Sequence, residues 1–211
     1  MEPLSNQKSP KRMPKKRTRS WVAFALLLSS CSPRDVLSRR LAADLISASD
    51  AFKTTQMYVL QTGIVANQEN VAPESLVLQQ HGWISSNRAA CPPGLAPPPC
   101  WDILLTPSGV DAVRGLVPTE EASKPSFAFP VARRGFVAVT GISRQGAAAD
   151  VDFTWRWVPL NEIGAALYSS DMYYKSTVAF RDYDDGWRIV PSAARSGQTI
   201  EEALKNAEPV P

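Results

Sequence analysis

The chain has 211 residues, with 23 Lys and Arg, 20 Asp and Glu and a single His. Residues 1–30 hold seven of the basic residues and one of the acidic ones, which leaves residues 31–211 with 16 basic and 19 acidic side chains. The net positive charge therefore belongs to the leader, and the remainder gives no reason to expect a nucleic-acid-binding surface. The 181 residues after the leader are enough for one domain, at 31–211, with its own hydrophobic core.

The first 30 residues follow the order of a secretory signal peptide. A basic stretch precedes an uninterrupted run of eight apolar residues, Trp21 to Leu28, and small polar residues follow it. Eight residues extend about 12 Å as a helix, against a hydrocarbon core of roughly 30 Å, so the run is too short for a lasting transmembrane span. We predict that residues 1–30 are removed during export. A nuclear-type basic patch is the alternative for residues 11–19, and the apolar run directly behind it argues against this alternative.

The apolar run ends in Leu28-Ser29-Ser30-Cys31, which resembles the lipobox of bacterial lipoproteins. The resemblance implies cleavage before Cys31, a thioether-linked diacylglycerol on Cys31 and an N-acyl chain such as palmitate. Several acyl chains anchor a protein stably, because each buried CH₂ contributes about 0.8 kcal/mol. The resemblance also implies the periplasmic side of a membrane, and Ser32 after the cysteine favours the outer membrane. An ordinary cleaved signal peptide with an unmodified Cys31 is the alternative.

The two other cysteines are predicted to form a disulfide. Cys91 and Cys100 are an even pair in a protein expected to be exported. The segment between them, 91–100, contains five prolines and one glycine, a composition typical of a stiff loop with a tight turn. A redox or metal pair is the alternative. Neither a CxxC spacing nor a nearby His supports it, and the remaining residues offer too few ligands for zinc.

The chain after Cys31 is predicted to begin with one long helix. Ser32 is a good N-cap, Pro33 suits the first helical position, and Asp35 completes a capping arrangement. Apolar residues then recur at spacings of three and four over about five turns: Leu37, Leu41, Leu45, Ala48 and Phe52. Basic residues off this stripe would face either solvent or anionic lipid head groups: Arg34, Arg39 and Arg40.

The rest of the chain is predicted to consist mainly of strands. The segments that we interpret as strands are 54–62, 76–85, 101–105, 127–131, 136–142, 151–157, 173–183 and 187–190. Short helices are predicted over 108–114, 161–167 and 199–207, a loop over 63–75, and a hairpin turn at Arg133-Arg134-Gly135. These elements predict an α+β domain in which the long N-terminal helix packs on a curved antiparallel sheet, with short additional helices.

The strongest strand signal is 151–157. Val151, Phe153, Trp155 and Trp157 alternate there with polar residues, so that one face is wholly apolar. This aromatic face is either the core beneath the long helix or part of a cavity for an apolar ligand.

The C-terminal stretch AFRDYDDGWRIV (179–190) resembles the last hairpin of nuclear-transport-factor-2-like and cystatin-like domains. In those domains a Gly-Trp pair enters the final strand. The resemblance implies a small cone-shaped α+β domain, and in the pocket-bearing members it would allow an isomerase or lyase type of site.

No motif for catalysis, phosphate binding or a metal occurs in the chain. Nucleophilic catalysis needs a base, and the single His, His81, lies in no recognisable catalytic pattern. We therefore expect no cofactor, no catalytic residue and no metal.

The sequence favours a membrane-anchored periplasmic lipoprotein that acts as a binding or assembly accessory module, with an envelope protein as a candidate partner and no nucleic acid. The alternative is a small-molecule-binding or isomerase/lyase-type pocket protein. Its candidate ligand pocket would be lined by Phe153, Trp155, Trp157 and His81. An envelope-structural lipoprotein without a defined ligand is a third possibility.

Overall fold

The structure is a computed structural model that describes residues 36–95, 98–122, 124–192 and 197–210. The predicted signal peptide, the lipobox with Cys31 and the predicted helix start at residues 32–35 lie outside the described residues. Strand accounts for 47% and helix for 28% of the structure.

Within the described ranges the chain forms nine strands. They are β1 (Thr55–Gln61), β2 (Gly63–Ala66), β3 (Ile84–Ala89), β4 (Cys100–Leu105), β5 (Ser126–Gln145), β6 (Ala148–Pro159), β7 (Tyr173–Tyr183), β8 (Gly186–Val190) and β9 (Glu208–Val210). The larger sheet has the order β1-β5-β6-β7-β8. The short strand β9 pairs with the beginning of β7, and β8 pairs with its end. The smaller sheet has the order β2-β4-β3, and the strand pairs in both sheets are antiparallel.

The larger sheet is strongly curled into a half-barrel. Residues 126–133 of β5 pair with β1, and residues 132–145 pair with β6. The ladder between β1 and β5 shifts register once, between Gln56 and Met57, and the ladder between β5 and β6 shifts twice. Bulges of this kind bend a strand and increase its twist, which accounts for the curl.

The described residues also form eight helices, all of them short. They are α1 (Arg39–Ser47), α2 (Asp50–Lys53), α3 (Asn67–Asn70), α4 (Pro73–Gln80), α5 (Pro107–Val113), α6 (Thr119–Ala122), α7 (Glu162–Leu167) and α8 (Ile200–Lys205). In several of these helices, the side chain of the N-cap residue accepts a hydrogen bond from a backbone N–H of the first turn. These N-cap residues are Ser38, Thr106, Asn161 and Thr199.

The predicted α+β class with a long N-terminal helix is wrong, because the structure is mostly β and its helices are short. Residues 36–38 are not helical, and α1 ends at Ser47. The Oγ of Ser49 donates to the carbonyl of Ile46 at 2.6 Å, a local bond that competes with a continuing helix. Ser49 then becomes the N-cap residue of α2. Ala48, which we placed on the apolar stripe, is exposed.

Three further predictions are wrong. Residues 76–85 are not one strand, because α4 runs to Gln80 and β3 begins at Ile84. Residues 63–75 are not a loop, since they contain β2, α3 and the start of α4. The tripeptide at 133–135 is not a turn but the middle of β5. A Cβ at Gly135 would meet the Cγ2 of Val158 at 2.7 Å, so the glycine relieves crowding between two strands.

Two clusters of buried side chains stabilise the fold. The first lies between β5–β8 and the helices α1, α2 and α8, and its largest fully buried side chains are Trp155, Phe153, Phe180 and Ile46. The second lies where β1 and the first part of β5 meet the smaller sheet and α4, α5 and α7, and it contains Phe129, Leu78, Ile163 and Val131. Burying one such side chain contributes about 1.5–3 kcal/mol, so both clusters contribute to the stability of the fold.

The predicted disulfide is confirmed. Cys91 and Cys100 are bonded, with their Cα atoms 5.2 Å apart. Cys100 is fully buried and pairs with Ala89 at the end of β3, so the bridge closes the loop between two neighbouring strands.

The disulfide should be detectable by thiol labelling. In a Cys31→Ala background under denaturing conditions, Cys91 and Cys100 should react with an alkylating agent only after reduction. Replacing both by Ala should lower the free energy of unfolding, because the bridge restricts the unfolded chain. The expected loss is only about 2–3 kcal/mol, since the closed loop is short. Labelling at full stoichiometry without reductant would contradict the bridge.

Close approach of α7 to β5 depends on Gly164. A Cβ there would collide with the backbone carbonyl oxygen of Val131, which a side-chain rotation cannot relieve. Gly164→Ala should therefore lower the free energy of unfolding by about 1–3 kcal/mol in urea denaturation. Ala165→Ser, on the exposed side of the same helix, is the control and should change it by less than about 0.5 kcal/mol. Equal midpoints of urea denaturation for the two variants would show that α7 packs loosely on β5.

Candidate functional site

A cavity of about 490 Å³, which we name the aromatic groove, lies between one face of the larger sheet and α8. The sheet contributes Arg134, Trp155, Trp157 and Tyr174. The helix contributes Glu201, Leu204 and Lys205. The groove thus combines an aromatic wall with a wall that carries charges of both signs.

Strand register brings the aromatic wall together. Arg134 of β5 lies opposite Trp157 of β6, and Trp155 lies opposite Tyr174 of β7. Since side chains alternate along a strand, Trp155 and Trp157 lie on the same face of β6. Trp155 is 2% exposed, whereas Trp157 is only partly buried and remains open to a ligand.

The aromatic rings are in contact with one another. Trp155 stacks on Tyr174 with centroids 4.7 Å apart, and it meets Trp157 edge-on at 5.3 Å. Trp157 in turn contacts Tyr168 at 4.8 Å. These are favoured geometries for aromatic pairs, and they hold the wall in one arrangement.

Hydrogen bonds tie the two walls of the groove to each other. The indole N–H of Trp155 donates to Ser176 Oγ at 3.1 Å, and Ser176 donates to the carbonyl of Ala203 in α8 at 2.9 Å. Ser176 is 4% exposed. Buried bonds of this kind fix the position of α8 above the sheet.

Arg134 is the charged group on the sheet side. Its Nη1 donates to the carbonyl of Ala51 in α2 and to Oε2 of Glu201, both at 3.0 Å. Its guanidinium carbon lies 5.5 Å from the ring centroid of Trp157 and 6.0 Å from that of Trp155, within the range of cation–π attraction. Its side chain is 17% exposed, so most of a permanent positive charge lies beneath the surface.

The carboxylates of α8 already have partners. Glu201 accepts from Arg134, and Glu202 accepts from the backbone N–H and hydroxyl of Thr199 in a capping box. Their bonds hold the helix and its neighbours in place.

Burial raises the pKa of Tyr168 beside the groove, and the carboxylate of Glu74 raises it further. Burial likewise raises the pKa of Tyr58 in the second cluster, against the opposing effect of a hydrogen bond with Ser75. Both phenols therefore stay protonated at neutral pH, and Tyr168 adds no negative charge near Trp157.

The structure places the four candidate pocket residues in different surroundings. Trp155 and Trp157 line the aromatic groove. Phe153 is fully buried in the first cluster, 6.1 Å from the ring of Phe52. His81 is exposed and stacks on Trp83 at 4.6 Å beside the second cluster.

The sequence analysis missed every groove residue other than Trp155 and Trp157, among them Arg134 and Tyr174 on the sheet side. Arg134 was assigned to a turn, and nothing in the local sequence indicates that its side chain contacts two tryptophans. Tyr174 lies in a strand that was predicted, and its alternation with Ser176 and Val178 could have indicated that it faces inward.

Within the described ranges, no three His, Cys, Asp or Glu side chains come together as ligands for a metal ion. None of the helices described there is long and apolar enough to cross a membrane. Compared with known proteins, the chain matches no family model, no curated protein and no solved structure.

The bridge through Ser176 should matter for stability. Ser176→Ala leaves the indole N–H of Trp155 and the carbonyl of Ala203 without this partner, and should lower the free energy of unfolding by about 1–3 kcal/mol. Ser143→Ala, at an exposed position of β5, is the matched control. Chemical denaturation of both variants measures the difference, and a loss no larger than that of the control would contradict the bridge.

Proposed function

We propose that this protein is a lipoprotein, anchored through Cys31 on the periplasmic side of a bacterial outer membrane, and that its folded part is a binding module for a small organic ligand. The ligand lies in the aromatic groove. The observation that carries the proposal is the groove itself, with a partly exposed Trp157 beside a buried arginine. Its volume of about 490 Å³ falls within the 300–1,000 Å³ that is typical of small-molecule sites.

The rigidity of the groove supports a binding role. Trp155 is fixed through its indole N–H, α8 is fixed through Ala203, and Arg134 is fixed through Ala51 and Glu201. A site that is already ordered loses less conformational entropy when a ligand binds, which favours affinity.

The sequence around Cys31 supports the anchor. The lipobox resemblance places the lipid on Cys31, five residues before Val36, where the described structure begins. Five residues span at most about 18 Å when fully extended. The folded part would therefore stay close to the head groups and would meet ligands at the membrane surface.

A second candidate role, in assembly with an envelope protein, is favoured by β1. This strand lies at the edge of the larger sheet, and Met57 and Val59 on one of its faces are 45% and 54% exposed. Edge strands with exposed apolar side chains are common sites of protein association. A cross-linked pull-down from detergent-solubilised membranes, with Val59→Lys as the control variant, would test this role.

The anchor predicts a simple localisation result. The wild-type protein should incorporate labelled palmitate and sediment with outer membranes, whereas Cys31→Ala should not be labelled. Cys91→Ala should keep the label, since the disulfide has no part in lipidation. Equal labelling of wild type and Cys31→Ala would remove the lipoprotein from the proposal and leave the groove untouched.

The groove predicts which tryptophan responds to ligands. In a screen of small aromatic compounds, binders should shift the indole N–H signal of Trp157, and Trp157→Ala should weaken their binding at least about tenfold because the main apolar contact is lost. Trp101→Ala is the matched control, since Trp101 is also partly buried but lies in the smaller sheet. If compounds shift the indole N–H signal of Trp101 and leave that of Trp157 unchanged, the ligand does not bind in the aromatic groove.

A further inference from the structure

The hydrogen bonds of Arg134 leave one edge of its guanidinium without a protein acceptor. Nη1 donates both of the hydrogen bonds that the guanidinium makes to described residues, to Ala51 and to Glu201. Nε is buried and has no hydrogen-bond partner, and no described residue accepts a bond from Nη2. Because buried polar groups in proteins are nearly always hydrogen-bonded, an unpaired buried N–H marks a place where an acceptor is expected.

The unpaired edge has a definite geometry. The N–H of Nε and one N–H of Nη2 point in parallel directions on the side of the guanidinium away from Nη1. Two parallel donors match the two oxygens of a carboxylate or a similar planar oxyanion. The guanidinium carbon lies 5.5 Å and 6.0 Å from the ring centroids of Trp157 and Trp155, so the guanidinium adjoins the aromatic wall of the groove.

We propose that the ligand of the aromatic groove is a small organic acid, whose carboxylate accepts hydrogen bonds along the unpaired edge of Arg134, from Nη2 and, after a small movement of the side chain, from Nε, while its planar apolar body lies against Trp157 and Tyr174. The inference rests on the proposed binding function and names the chemical class of the ligand. The ligand is an anion at neutral pH because a carboxylic acid is ionised there, and arginine keeps the opposite charge at any physiological pH.

The other side chains of the groove agree with such a ligand. Leu204 and Ala207 add apolar contacts, and Lys205 adds a second positive charge. Glu202 is occupied by the capping box of α8. Glu201 and Glu202 both keep a negative charge at the groove and would repel the ligand, but they limit affinity rather than prevent binding because Arg134 and Lys205 supply two positive charges.

A matched pair of probes tests the inference. Binding of 2-naphthoate and of its neutral amide, 2-naphthamide, is measured by isothermal titration calorimetry on the full-length protein in detergent at pH 7, with a detergent blank. The two probes have the same ring system and differ in charge. The wild-type protein should bind naphthoate at least about tenfold more tightly than naphthamide, since hydrogen bonds to charged groups are the stronger ones.

Two variants locate the carboxylate. Arg134→Lys keeps the charge but removes the parallel donors, and should weaken naphthoate binding about tenfold without changing naphthamide binding. Arg133→Lys, at the exposed neighbouring position, should change neither. Glu201→Gln removes a like charge and should strengthen naphthoate binding about two- to fivefold. This last variant keeps the test decisive if Arg134→Lys does not fold.

Each outcome supports or overturns the inference. Equal affinity for both probes, or naphthoate binding unaffected by Arg134→Lys and Glu201→Gln, would overturn the carboxylate assignment while the groove remains a binding site. If neither probe binds the wild-type protein, both the inference and the proposed groove fail.

Discussion

The backbone N–H and C=O groups that β5 buries along its 20 residues need partners, and the strand finds them by pairing first with β1 and then with β6. The two hydrophobic clusters lie on successive parts of this strand. The strand therefore couples them, and the bulges along its ladders supply the curl that lets one sheet serve both. Without a continuous β5 there would be no shared scaffold for the helices that pack on either part.

The position of the aromatic groove follows from this change of partner. Arg133 is the last residue of β5 to pair with β1, through Thr55, and Arg134 is the next residue along the strand. Because α2 directly precedes β1, its carbonyl at Ala51 lies within hydrogen-bonding distance of Arg134. The pairing with β6 places Trp157 opposite the same arginine. A charged side chain is thus held between a helix carbonyl and an aromatic ring by the register of three strands.

The second wall of the groove depends on the end of the chain. The capping box at Thr199 begins α8, and Ser176 bonds the helix to the sheet through Ala203. After the helix, β9 pairs with the first residues of β7, including Tyr174. The helix is therefore fixed at both ends and in the middle, which gives the groove a defined width. In the proposed binding role, such a rigid wall would select ligands by shape, because it cannot repack around a larger molecule.

Local patterns in the sequence were sufficient to predict the apolar face of 151–157, a short helix within 199–207 and the disulfide, because these patterns act between neighbouring residues or through a covalent bond. They were not sufficient to predict the fold class. The apolar residues at helical spacing continue past Ser49 in the sequence, but the hydrogen bond from Ser49 to the carbonyl of Ile46 competes with a continuing helix there. Gly135 was interpreted as part of a turn, whereas the structure needs a glycine there because Val158 of the neighbouring strand β6 leaves no room for a Cβ. The sequence alone therefore determined which residues are apolar, capped or cross-linked. Only the tertiary structure decided that Arg134 lies against two tryptophans with one edge unpaired, since that contact joins residues of different strands and depends on their register.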